Sequence, residues 1–140
     1  MHADIPPPVA AALSRYAPPV RRRLAELRRL ILAVADATAD VGPLTETLRW
    51  GEAAYLTEHS GSGTTIRLGA PRTNPASCAL FFNCRTTLVP SFRDLFGSSL
   101  SYEGTRAVLV PAEGLVPENQ LRICIAMALT YHRDGRGRSG

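Results

Sequence analysis

The sequence predicts a two-layer α+β domain, in which a mainly antiparallel sheet of five strands carries its helices on one side. Three observations lead there. One long segment repeats apolar residues at helical spacing, and the middle of the chain breaks into short strand-like runs between Gly and Pro turns. The third is size: 140 residues, 45% hydrophobic and 20% charged, suffice for one buried core and are ordinary for a globular domain.

Pro6-Pro7-Pro8 opens a short segment, residues 9–16, that can make two helical turns before Pro18-Pro19 breaks it. The clearest helix follows. Val20, Leu24, Leu27, Ile31 and Val34 recur at spacings of four and three, arginines fill the opposite face, and Gly42-Pro43 ends the segment. Residues 44–57 read as one strand interrupted at Gly51, and Ser60-Gly61-Ser62-Gly63 as a flexible turn. Residues 64–68 alternate like a half-buried strand, and the apolar run 78–84 fits a central strand covered on both faces.

Leu88, Phe92, Leu95 and Phe96 have helical spacing, with Gly97 as a stop. Residues 100–110 look like a hairpin turning at Glu103-Gly104. Pro117 starts a last helix whose stripe is Leu121, Cys124, Ile125, Ala128 and Leu129. The expected order is α-β-β-β-α-β-β-α. A short segment (1–17) precedes one domain (18–133), and a disordered tail (134–140) follows.

Composition narrows the function classes. The longest apolar runs fall far short of the about 20 residues that cross a bilayer, and Met1-His2-Ala3-Asp4 lacks the start of a secretory signal. The expectation is a cytoplasmic protein with no membrane partner. All sixteen basic residues are arginine, giving a net charge of +4. Arg133, Arg136 and Arg138 lie at or in the Gly-rich tail, and Arg21, Arg22, Arg23, Arg28 and Arg29 crowd one helix, which reads as a solvated face and argues against a nucleic-acid partner. Oligomeric state stays open between monomer and homodimer.

Chemistry-bearing motifs are few. Cys78 and Cys84, six positions apart on one extended strand, would be separated by about 20 Å, too far for a disulfide or a shared metal ion. Cys124 falls on the apolar stripe of the last helix, so all three cysteines read as structural. His2, His59 and His132 have no ligand spacing, and no phosphate-binding or nucleophile motif occurs, so neither a catalytic residue, a metal ligand nor a cofactor is assigned.

Two clusters remain. Trp50 beside Gly51 reads either as a core tryptophan or as the wall of a ligand pocket. A kink at Gly51 would let Trp50 and Tyr55 line one concavity, with Arg85 supplying charge. Arg85-Thr86-Thr87 precede a helix, where a threonine can cap and the free amides with Arg85 would suit a carboxylate or phosphate. Glu103 and Arg106 complete the candidate ligand-binding set, and an enzyme acting on a small anion would need Arg85, Arg106 and Glu103 to converge.

These residues carry a family resemblance. Glu46-Thr47-Leu48-Arg49-Trp50-Gly51 with Tyr55, then Cys78-Ala79-Leu80-Phe81-Phe82, Phe92-Arg93-Asp94-Leu95-Phe96, Tyr102-Glu103-Gly104-Thr105-Arg106-Ala107 and the closing amphipathic helix resemble the YdhG-like family of small bacterial proteins. The resemblance implies a two-layer α+β fold with an antiparallel sheet. One branch of that family looks like bacterial frataxin, which implies an iron-binding chaperone. No helix here has an acidic cluster, and no metal ligand is carried over. The leading functional expectation is a non-enzymatic domain binding a small anionic ligand or a protein partner. The alternative is the frataxin-like iron chaperone.

Overall fold

A computed structural model describes residues 4–133. Four helices and six strands follow in the order α1 (Pro7–Ser14), α2 (Pro18–Ala37), β1 (Thr45–Arg49), β2 (Glu52–Leu56), β3 (Ile66–Gly69), β4 (Ser77–Phe81), α3 (Leu88–Phe96), β5 (Ser101–Glu103), β6 (Ala107–Pro111) and α4 (Glu118–Leu129). A single turn of 3-10 helix, Gly97–Ser99, links α3 to β5. The expected tail at 134–140 lies outside the described residues. No helix among those described is long and apolar enough to cross a membrane.

Every strand pairing is antiparallel, in the spatial order β1-β2-β3-β4-β6-β5. The sheet therefore has six strands rather than five. The difference arises at Trp50-Gly51, where the single interrupted strand read from residues 44–57 is two strands joined by a two-residue turn.

Register sorts the side chains. Ala53, Tyr55, Ile66, Leu68, Cys78, Leu80, Val108 and Val110 point to one face, where they join Val9 and Leu13 of α1, the α2 stripe, Phe92 of α3 and the α4 stripe in one core. All four helices share that side. Val20, Leu24, Leu27, Ile31 and Val34 of α2 are buried as their spacing requires, and so are Leu121, Cys124, Ile125, Ala128 and Leu129 of α4.

The arginine face of α2 is less uniform than its composition suggests. Arg21, Arg22 and Arg29 are exposed, whereas Arg23 and Arg28 are buried. Arg23 donates to the carbonyls of Ala112 and Gly114. Arg28 forms a fork on Glu46, with Nε 2.5 Å from Oε2 and Nη2 2.9 Å from Oε1, and also reaches the Asp4 carbonyl at 3.0 Å. Tyr55 donates its hydroxyl to the same carboxylate at 2.8 Å, which fastens α2 to β1 and β2. Burial, and then the hydrogen bond to Glu46, raises the Tyr55 phenol well above its ordinary pKa, so it stays protonated as a donor.

The 60–63 turn is anchored rather than flexible. Ser62 Oγ donates to the Leu129 carbonyl at 2.7 Å, and Thr64 N donates to the Ala128 carbonyl at 2.9 Å. These bonds satisfy carbonyls left open at the end of α4. Gly63 sits so close that an added Cβ would overlap the backbone of Ala128 and Leu129.

Candidate functional site: the helix-free face of the sheet

The opposite register positions build a second, very different surface. Arg49, Glu52, Ala54, Arg67, Gly69, Ala79, Phe81, Ala107, Leu109 and Glu103 project away from the helices. Small residues form its floor: Ala54, Ala79 and Ala107 are wholly buried there without any helix above them. Larger side chains lie across this floor. Phe81 is 5% exposed; Leu109 packs against its cluster, and the guanidinium carbons of Arg67 and Arg106 stand 5.3 and 5.7 Å from the ring centroid. The central strand is therefore covered on its second face, as its apolar run suggests, by neighbouring side chains, cation–π contacts among them, instead of another layer.

Glu52 forms an ion pair with Arg67 and lies over Gly69, where a Cβ would run into its carboxylate. Partial burial raises the Glu52 pKa, against the opposing pull of Arg67 and Arg106. Arg106 itself is exposed, and among the described residues neither it nor Arg72 has an ion pair.

Trp50 forms the rim. It is 90% exposed, with φ of 56°, and Gly51 follows at 77°. Two successive left-handed residues between the paired Arg49 and Glu52 are what a tight two-residue hairpin requires. Asn, Asp and Gly are the usual occupants of the first position, and a bulky aromatic there is an outlier. Arg15, at the C-terminal cap of α1, supports the turn by donating to the Gly51 carbonyl at 3.4 Å.

Two depressions of about 420 Å³ each flank the Phe81–Arg106 ridge. The first is bounded by Arg49, Trp50, Thr65, Arg67, Phe81, Phe82, Asn83, Cys84 and Arg106, and no carboxylate lines it. The second shares Trp50, Arg67, Phe81 and Arg106 and adds Arg72, Glu52 and Glu103.

The structure separates the residues singled out from sequence. Trp50, Glu103 and Arg106 meet on this face. Tyr55 does not: it is fully buried on the helix side, so Trp50 and Tyr55 share no concavity. Nor is Trp50 a core residue. The feature at Gly51 is a chain reversal, and a reversal sends positions 50 and 55 to different environments in a way that a kink would not. Arg85, Thr86 and Thr87 lie in the β4–α3 turn and line neither depression.

The anion site expected at the start of α3 is filled by the chain's own oxygens. The Tyr131 hydroxyl accepts from Thr87 N at 3.1 Å, and Thr86 Oγ1 accepts from Leu88 N at 3.3 Å. Thr87 occupies the cap position without a side-chain capping bond. Glu103 and Arg106 therefore converge without Arg85. Cys84 also departs from expectation, because β4 ends at Phe81 and leaves its thiol exposed at the rim, while Cys78 and Cys124 are buried.

Arg67, Phe81, Glu52 and Arg49 were not singled out by sequence reasoning. The alternation of residues 64–68 already set Arg67 opposite Ile66 and Leu68. The rest of the site comes together only through strand pairing, which sets Arg67 opposite Phe81 and Phe81 opposite Ala107.

The arrangement defines an α+β protein with helices on one face of an open antiparallel sheet and an arginine–aromatic surface on the other. Among solved structures it resembles YdhG of Bacillus subtilis, a protein from the DUF1801 family, with a TM-score of 0.63. The match covers 90% of this chain and 91% of that one at 16% identity, so the likeness is one of fold. It agrees with the YdhG-like resemblance carried by the sequence motifs. No family model and no curated protein matches the chain.

Proposed function

We propose that the helix-free face is a binding platform for a small organic anion with an aromatic body, and that the protein is a non-enzymatic ligand-binding domain. One observation carries the reading. A large aromatic ring is held almost fully in water, on left-handed backbone, at the edge of a depression lined by three arginines and no carboxylate. A residue in αL that is not glycine costs on the order of 1–3 kcal/mol, and such outliers cluster where function requires them. Packing does not explain the ring, since it is exposed. Stacking on its π-face beside guanidinium groups does. Of the described histidines, neither His59 nor His132 lines either depression, which favours binding over acid–base turnover.

Calorimetric titration with benzenesulfonate, whose charge is fixed at all working pH values, tests the platform. Arg106→Gln should weaken binding about 10- to 150-fold, the worth of a charge-assisted hydrogen bond of about 1.5–3 kcal/mol. Arg29→Gln, on the exposed face of α2, should leave it unchanged. Equal losses in both variants, or no saturable binding, would remove the reading.

A further inference from the structure

We propose that the ligand taken by this platform is a nucleoside monophosphate, an inference that rests on the anion-binding reading of the same face. The two depressions differ in a way that a simple aromatic anion does not exploit. The first is lined by Arg49, Arg67 and Arg106 and by no acidic residue; the ion-pair partners Glu58 of Arg49 and Glu52 of Arg67 stand outside its lining. Arg106 has no ion pair among the described residues, so it leads a place for a phosphate, which arginine forks bind bidentately. The second carries Glu52 and Glu103, which would repel a second anion but accept hydrogen bonds from neutral donors. Glu103 already accepts from the Thr73 hydroxyl at 3.1 Å, so its carboxylate is oriented as an acceptor at this surface.

Trp50 borders both depressions, with its ring in water. The ligand must therefore combine a planar ring, a strongly anionic group at one end, and hydroxyl or amino donors at the other. Base, phosphate, and ribose hydroxyls or an exocyclic amine meet those three demands together. Phosphate lies over the arginine-only side, the base stacks on Trp50, and the sugar or amine donors face Glu52 and Glu103. The two volumes, about 420 Å³ each, are those of a small-molecule site. A single strand would need a continuous cationic track beyond them, and the two glutamates interrupt it.

Calorimetry on the full chain with AMP, adenosine, inorganic phosphate, benzenesulfonate and a short deoxyadenylate strand tests this. AMP should bind about 5- to 150-fold tighter than inorganic phosphate, the contribution of one stacked base, and tighter than adenosine. Trp50→Asn, which places a residue suited to the turn, should erase that advantage while leaving phosphate affinity unchanged. AMP binding no tighter than inorganic phosphate would overturn the inference. If benzenesulfonate still bound in that case, the anion platform would survive alone; if it did not, both would fall. Preference for the single strand over AMP, per nucleotide, would also overturn it by making the face a nucleic-acid surface.

Discussion

Replacing Trp50 should raise stability and lower ligand binding at once, a pairing that few other positions in the molecule can give. The ring is 90% exposed, so it retains about a tenth of a tryptophan's contact area. At about 200 Å² for a buried tryptophan and about 25 cal/mol per Å², that contact contributes about 0.5 kcal/mol. Against this stands the left-handed backbone at φ 56°, which disfavours an ordinary L-residue by about 1–2 kcal/mol and is readily adopted by Asn. Trp50→Asn should therefore stabilise the fold by about 0.5–1.5 kcal/mol. With a urea m-value of about 2 kcal/mol/M, the midpoint should rise by about 0.3–0.7 M. Circular dichroism is the appropriate readout, because Trp50 is the single tryptophan and its fluorescence disappears with it. A destabilisation of more than about 1 kcal/mol would show that the ring packs against something and that its exposure is not paid for by function. Unchanged benzenesulfonate affinity would separate Trp50 from the platform.

Four further outcomes follow from the same geometry. Glu46→Gln breaks the buried fork with Arg28 and should cost about 3–5 kcal/mol, read as a drop in the urea midpoint. Gly63→Ala drives a Cβ into the backbone at the end of α4 and should cost about 1–3 kcal/mol, seen as a lowered melting temperature. The Glu52 pKa is raised by burial, so acidification from about pH 7 towards its elevated titration range neutralises it and frees Arg67; benzenesulfonate affinity should rise as pH falls, and Glu52→Gln, with Glu103 left in place, should flatten that dependence. Of the three thiols, burial pushes Cys78 up to about 11 and Cys124 up to about 12, so iodoacetamide should label Cys84 alone in the folded protein, and bound benzenesulfonate should slow it.

The helices were legible in the sequence because their stripes are long and regular: α2 and α4 bury the residues that their spacing nominates. The fifth and sixth strands were legible from Glu103-Gly104, whose glycine has φ of 56° in the connection. Trp50-Gly51 was not, because Trp is a poor signal for the left-handed position that it fills, and the pair reads more naturally as a bulge inside one strand. The count of strands and the fate of Tyr55 both turned on that one dipeptide. The site was half-legible for a related reason. Trp50, Glu103 and Arg106 stand out locally, but Arg67 and Phe81 become neighbours only through the β3–β4 register, which a single sequence does not display. Arg85, Thr86 and Thr87 have the local pattern of a helix start. The amides of Arg85 and Thr86 donate to Asn83 and that of Thr87 to the Tyr131 hydroxyl, a contact that spans 44 positions in sequence.

The central claim, that ligand binds on the helix-free face of the sheet, is tested most directly by amide and indole chemical-shift mapping of the labelled protein during a benzenesulfonate titration. The single Trp50 indole resonance and the amides of Arg67, Phe81, Asn83 and Arg106 should move together and saturate, while those of α2 and α4 stay fixed. Shifts confined to the helix side, or a stationary Trp50 indole at saturating ligand, would contradict it.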